Sequence, residues 1–436
     1  MREKLPTFKT VRGMRDFLPE EAEKMRYVEE AARETAKLYG FEEIITPVLE
    51  SYELLSAKAG EELRERMYVF EDLGGRKIAL RPEFTASIAR LVATTLRNYP
   101  KPLRLFCVGS LYRYDEPQFG RYREFWQSNY ELIGSDKPEA DVEILALTNH
   151  LVASVGLKHY KFKIGHVGII RGILSQEGIK EEKQTHIMHL LDKKEWNQTL
   201  QTLKEFKASR KCVETLTQLI KTRGENPAEV VKTIKRHVEG YEAAATALEN
   251  LNQILCLVEE SKIGFDMTVE AGFARGLDYY TGMIFEVFVP EMKIAIGGGG
   301  RYDKLIQLFG GEPTPAVGVA HGIDRIALAM EKQKTPLKKP KEKKVLVIPL
   351  KEELKTRAIG IASAFRKAGI PTEIEVMGRT VSRALQDADR RNVGYAVLVA
   401  PKEMEKGKII LKNLAKREQQ VLTVEEAIQS ILNVKT

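Results

Sequence analysis

Apolar and polar positions along this chain keep changing rhythm, and each rhythm predicts an element. In LPEEAEKMRYVEEAARETAKLYGF the residues Met25, Val28, Ala32 and Tyr39 recur at helical spacing. Pro19 and acidic residues occupy the first turn, and Gly40 stops the run. FEEIITPVLE predicts a strand broken at Pro47; proline donates no ladder hydrogen bond, so it belongs at an edge, a bulge or a subunit boundary. RMYVFEDLGGRKIALRPE predicts a hairpin turning at Gly74-Gly75, with a helix over 84–96 behind it. Two further strands, 104–115 and 121–134, flank the turn EPQFG.

From about 175 to 262 the period is helical, rich in Lys, Glu and Leu. Alternation returns in FDMTVEAGFARGLDYYTGMIFEVFV and KIAIGGGGRYD. Strands, then helices, then strands predict an antiparallel α+β domain interrupted by a helical insertion. EKQKTPLKKPKEKK is a charged, proline-bearing linker. Beyond it KVLVIPL, a helix ending at Gly369, TEIEVM, a second helix and YAVLVA alternate as βαβαβ. Right-handed crossovers would make these a small, largely parallel sheet covered by helices.

Alternate side chains of a strand share a face, and in the hairpin this sorts chemistry. Arg113 and Asp115 fall together on the first arm; Arg121, Arg123, Phe125, Gln127 and Glu131 fall together on the second. Tyr122, Trp126, Tyr130 and Leu132 take the opposite face, which suits packing. Arginine forks match phosphate oxygens and an aromatic ring can stack on a base, while a carboxylate and an amide can hydrogen-bond a small polar ligand. A solvated antiparallel face would show the same periodicity.

The length of 436 residues calls for two or three domains, and 30% charged residues suit a globular protein. No apolar run approaches a membrane span and the start MREKLPTFKTVRGMRDFLPEEAEK has no apolar signal core, so a cytoplasmic protein is expected. Cys107, Cys212 and Cys256 form no CxxC pair, which fits reduced thiols rather than a zinc site or a disulfide frame. Net charge is +8, but from residue 331 onward 23 Lys/Arg face 13 Asp/Glu, so the remainder is slightly acidic. That surplus suggests a polyanionic partner at the C-terminal end; a solvated, repulsive surface is the plainer alternative.

YRYDEPQFGRYREF resembles motif 2 of the class II aminoacyl-tRNA synthetases. PQFGRYREFWQ, LRPEFT and ARGLDYYTG look like the histidyl-tRNA synthetase family, TPAVGVAHGIDRIAL is similar to motif 3, and the first helix with ITPVLE to motif 1. The resemblance runs through the whole chain in order. It implies an antiparallel catalytic domain over 1–174 and 263–330, a helical insertion over 175–262, a basic linker over 331–343 and an α/β anticodon-binding domain over 344–436. Implied partners are L-histidine, ATP with Mg²⁺, histidine tRNA and a second copy in a homodimer, with no membrane and no DNA. No stable protein metal site and no zinc are expected.

Carried over by residue, Arg113 and Arg275 would be catalytic, holding the α-phosphate and the substrate carboxylate. Arg325 and Arg121 would meet phosphates, Phe125 would stack on adenine, and Asp115 would help position it. Glu83, Phe84, Thr85 and Gln127 would form the histidine pocket near the α-ammonium, with Glu131, Tyr279 and Tyr280 at the imidazole edge. Glu116 and Gln118 would face the tRNA acceptor end. Three positions depart from the usual pattern: Asp115 replaces a glutamate, Glu116 a common arginine and Trp126 a common histidine. A carboxylate at 116 would repel tRNA phosphate, and the hairpin alternation would point Trp126 away from ligand.

Each local feature has a plainer reading beside it. Arg81 and Glu83 could be a surface ion pair, and Tyr279-Tyr280 ordinary strand aromatics. GGGGRYD lacks phosphate-loop framing, and its glycines suit either close backbone approach to ligand or a flexible turn. His186 and His189 could clamp a metal at i, i+3, or lie on a solvated helix face. KEFKASRK could touch tRNA or simply be solvated. The rival to a synthetase is a histidine-sensing regulatory subunit of ATP phosphoribosyltransferase; such paralogues typically lose RGLDYY and the anticodon domain, and this chain carries both patterns. A tRNA-binding accessory protein would need no imidazole-reading set.

Overall fold

The computed structural model describes residues 8–57, 59–337 and 343–433. The chain divides into two compact units, Met1–Leu337 and Lys338–Thr436. Residues 338–342 of the expected linker lie outside the described residues, while residues 331 and 332 belong to the helix Ile323–Lys332.

A nine-stranded sheet organises the first unit. Its order across the sheet is Glu42–Glu43, Leu103–Tyr112, Glu124–Ile133, Ala316–Gly322, Gly297–Arg301, Met283–Phe288, Lys161–His166, Met267–Glu270 and Arg223–Gly224. From Leu103–Tyr112 to Lys161–His166 every pairing is antiparallel, as the alternating pattern predicts. Pro47 does break its strand: Glu42–Glu43 joins the large sheet, whereas Leu49–Ser51 joins a three-stranded sheet with the hairpin of Val69–Glu71 and Lys77–Leu80. The first helix, Pro19–Leu38, begins with proline in its first turn. The Glu21 carboxylate accepts the Leu18 N–H at 3.0 Å, closing that end.

Among the described residues, six helices and one short strand separate Lys161–His166 from Met267–Glu270. Helices Val167–Gln176 and Glu242–Glu260 pack against each other and share the main hydrophobic core of the unit through Ile170, Ile173, Leu251 and Leu255. The helical stretch therefore starts at Val167 and is continuous in packing with the sheet, and its short strand Arg223–Gly224 even pairs with Met267–Glu270.

The second unit has a five-stranded sheet in the order Thr372–Ile374, Val345–Pro349, Tyr395–Val399, Ile409–Asn413 and Glu418–Leu422. The first three strands are parallel, but the last two form an antiparallel hairpin. The sheet is thus mixed rather than largely parallel. The KIILKN and EQQVL runs are short and polar on one face, so their alternation is faint in sequence. Separate hydrophobic clusters cover this sheet, one with Phe365, Val397 and Ile431, the other with Ile348, Ala388 and Leu398. No helix among the described residues is long and apolar enough to cross a membrane.

Candidate active site

A cavity of about 290 Å³ opens on the large sheet. Strand Glu124–Ile133 supplies Phe125, Gln127, Asn129 and Glu131 from alternate positions, as period two requires. Its neighbour Ala316–Gly322 brings Gly318 opposite Glu131 in register. A Cβ on Gly318 would stand 1.6 Å from Glu131 Oε2, so this position has to be glycine for the carboxylate to lie on the sheet.

Glu131 is buried and receives two hydroxyl hydrogen bonds, from Thr85 Oγ1 to Oε1 at 2.8 Å and from the Tyr302 hydroxyl to Oε2 at 2.5 Å. Burial pushes its carboxyl up to about 7, against the opposing pull of the Tyr302 and Thr85 hydroxyls. Glu83 takes a different role in the same wall. Its two oxygens accept the backbone N–H groups of Thr85 at 2.5 Å and Ala86 at 2.8 Å, capping the helix Thr85–Ala93. Tyr279 and Tyr280 complete this end, their ring centroids 4.9 Å apart.

Cations gather elsewhere in the cavity. Arg113 Nε donates to Pro82 O at 2.9 Å, and its guanidinium lies 5.2 Å from the centroid of Phe125. Arg325 Nε donates to Gly120 O at 3.2 Å and Nη1 to Ala295 O at 2.9 Å. Burial, then the charges of Arg113 and Arg121, pushes Arg325 down to about 10. Three cations arranged so that they repel one another define a place where an anion is favoured. Asp115 lines the same wall and pairs with Arg66 at 3.2 Å.

Arg275 lies flat on the sheet. Its Nη1 donates to Phe285 O at 2.7 Å, and a Cβ on Gly298 would approach Nη1 to 1.9 Å. The run Gly297–Arg301 is therefore a buried central strand whose lack of side chains makes room for Arg275, and neither a phosphate loop nor a flexible turn.

Several expected neighbours sit elsewhere. Phe84 does not line the cavity: it is 1% exposed and packs with Ile88, Leu105 and Leu111, because the helix start turns it inward. Arg123 precedes the strand, so the alternation does not reach it; its guanidinium stacks 3.7 Å from the Tyr114 ring and Nε donates to Asp115 O. Arg81 is buried and donates to Thr46 O at 2.7 Å, so it is not half of a surface ion pair. Glu116 and Gln118 lie outside the cavity in the exposed turn. There Glu116 meets Arg12 at 2.7 Å and Gln118 bridges to Arg121 through the backbone. His189 is not on a solvated face, for it bonds Asp278 at 2.6 Å. Tyr122 and Trp126, expected on the packing face, also line the cavity, where the Trp126 backbone N–H donates to Asp324 Oδ2 at 2.6 Å. Sequence reasoning also passed over Tyr302, Asn129 and Asp192, which line it too. Tyr302 had one signal, its place just past the glycine run, one residue beyond Arg301.

An antiparallel sheet carrying arginines and an acid-tyrosine pocket in one cavity has the architecture of a class II aminoacyl-tRNA synthetase. The histidyl-tRNA synthetase family matches residues 13–326, an anticodon binding domain matches 344–433, and the chain belongs to the histidyl-tRNA synthetase family. It is 41% identical to the histidine–tRNA ligase of Methanocaldococcus jannaschii, over 96% of this chain and 98% of that one. Identity to the histidine–tRNA ligase of Sulfolobus acidocaldarius is 39%, over 98% and 99%. Among solved structures, apo histidyl-tRNA synthetase of S. aureus superposes with a TM-score of 0.70 at 25% identity, covering 98% of this chain and all of that one. A Bacillus halodurans chain described as an ATP phosphoribosyltransferase regulatory subunit/histidyl-tRNA synthetase gives 0.75 at 28% identity, covering 88% and 97%.

Proposed function

We propose that this chain ligates L-histidine to histidine tRNA in two steps, through a histidyl-adenylate. The observation that carries the reading is the shared cavity: a buried carboxylate ringed by hydroxyls and the arginine cluster line the same space. In the first step a carboxylate oxygen of histidine attacks the α-phosphorus of ATP, and the bond to pyrophosphate breaks. That carboxylate is already a nucleophile, so no general base is needed; the reaction needs positive charge and alignment of two anions that repel. Arg113 and Arg275 supply both at the reacting atoms, Arg121 and Arg325 face the remaining phosphates, Phe125 stacks on adenine, and Asp115 helps position it. Mg²⁺ arrives with ATP as part of that substrate. A terminal ribose hydroxyl of the tRNA then attacks the histidyl carbonyl carbon, forming an ester as the bond to AMP breaks.

Specificity follows from the other end. Glu131, Tyr279 and Tyr280 read the imidazole, and Glu83, Thr85 and Gln127 the α-ammonium; a ligand lacking ring nitrogens leaves these buried groups unpaired. Glu116 and Gln118 belong to the tRNA-facing turn, and the unit matched by the anticodon binding domain takes the anticodon. The helical stretch over 175–262 is the insertion of the catalytic unit. Exposed Ile45 and Leu49 within ITPVLE, with exposed Phe70 and Leu73 in the hairpin of the same small sheet, support a homodimer, working in the cytoplasm. The intact ARGLDYYTG and the anticodon match weigh against a purely regulatory subunit.

Histidine-dependent ATP–pyrophosphate exchange tests the first step and charging of histidine tRNA the second. Arg275→Ala is expected to keep ATP binding and lose exchange by about 1000-fold or more. Absence of exchange with the folded wild-type chain refutes the enzyme, and undiminished exchange in the variant refutes the role of Arg275.

A further inference from the structure

The loop that presents Arg275 is held in an unusual way. Among the described residues, no backbone hydrogen bond ties 274–280 to a neighbour. Its geometry is set by side chains instead. Leu277 packs against the cluster of Leu55, Leu63 and Met67 on one side. On the other stands the helix Glu181–Asp192, which meets the loop at two points one turn apart. His189 Nε2 bonds Asp278 Oδ1 at 2.6 Å, with the two side chains only 26% and 16% exposed. One turn on, Asp192 abuts the loop backbone, since a Cβ on Gly276 would lie 3.0 Å from Asp192 Oδ2.

We propose that His189, acting through Asp278, is a positioning residue for Arg275, so that the helical insertion sets the alignment of the arginine in adenylate formation. The physical reason is that Arg275 has little else to fix its approach: a single bond to Phe285 O and the flat floor at Gly298 define its depth, but not the path of the chain carrying it. A charge-assisted bond to a partly shielded carboxylate three residues away supplies that restraint. A reacting arginine misplaced by an ångström loses transition-state stabilisation while ground-state ATP binding, carried by Arg113, Arg121 and Arg325, is spared. The insertion then becomes part of the catalytic apparatus rather than an appendage, and any shift of the helix is transmitted to Arg275.

This rests on the role proposed for Arg275, and the test separates the two. Full-length His189→Ala, His189→Gln, Asp278→Ala, the double alanine variant and Arg275→Ala are compared in histidine-dependent ATP–pyrophosphate exchange. The expected result is that His189→Ala lowers kcat about tenfold with the KM for ATP changed less than about twofold. His189→Gln, which keeps a donor at the distance of Nε2, recovers to within about threefold of wild type. The double variant is no worse than Asp278→Ala alone, because both remove one bond. Unchanged exchange in His189→Ala, equal loss in the glutamine variant, or additive losses in the double variant overturns the proposal. If His189→Ala does not fold, Asp278→Ala removes the same bond from the other side and carries the same expectation, full activity again overturning it. Exchange that survives in Arg275→Ala defeats the reading of Arg275 itself; exchange lost there but intact in His189→Ala defeats only the positioning role.

Discussion

Burial holds the Glu131 carboxyl at about 7, well above an ordinary glutamate, and the consequence differs for the empty and the occupied pocket. In the empty protein the neutral form is favoured, so the stability it confers is full below the unfolded value of 4.5 and is lost as pH rises through about 7. Glu131→Gln removes that loss. Its melting temperature should gain on wild type between pH 5 and 8, by the equivalent of up to about 3 kcal/mol. An imidazole N–H, by contrast, needs the ionised carboxylate as acceptor. The KM for histidine should therefore fall as pH rises through about 7, while Glu131→Gln shows a high KM, raised about 100-fold, without that dependence. A variant whose KM still follows wild type across this range would assign the titration to another group.

Elements place these residues, and the weakest element is the most telling. Strand Gly297–Arg301 has four glycines in the middle of a sheet, where glycine gives neither packing nor conformational bias. Arg301 compensates at its end: Nη2 bonds Asp141 Oδ2 at 2.5 Å, and Nη1 bonds Ser135 O at 2.8 Å. Arg301 and Asp141 are both buried, so removing the acid strands a cation. Asp141→Ala should cost about 3 kcal/mol in urea unfolding, and a loss under about 1 kcal/mol would show that Asp303 and the carbonyls suffice. What the sequence shows of such elements depends on range. The cavity-facing residues Phe125, Gln127, Asn129 and Glu131 are legible because they recur at period two along Glu124–Ile133. The alternation misplaces Trp126, which lines the cavity as well, and loses Arg123 where the strand begins. Tyr302 is hidden because its purpose lies across the sheet at Glu131, and His189 because Asp278 is 89 residues away. Phe84 misleads for the opposite reason: it sits among pocket residues in sequence, but the helix start turns it into the core.

At the scale of the molecule, each unit closes its own hydrophobic core, and the positive surplus lies wholly in the second, the first being slightly acidic. Every residue assigned to adenylate formation is in the first unit, within Glu83 to Arg325. The two half-reactions should therefore separate by truncation. A chain ending at Leu337 retains all the residues that line the cavity and the clusters beneath it, so its histidine-dependent exchange should stay within about threefold of full length. Charging of histidine tRNA should fall about 100-fold or more in kcat/KM, because the anticodon contact and most of the favourable charge are gone. Salt gives an independent reading of the same division. Raising it from about 50 to 200 mM should weaken tRNA charging by the full chain steeply through counterion release, and should affect exchange little. If truncation abolishes exchange, the second unit is structurally required by the first. If it leaves charging intact, the basic surplus is a solvated surface and recognition of the tRNA resides in the catalytic unit.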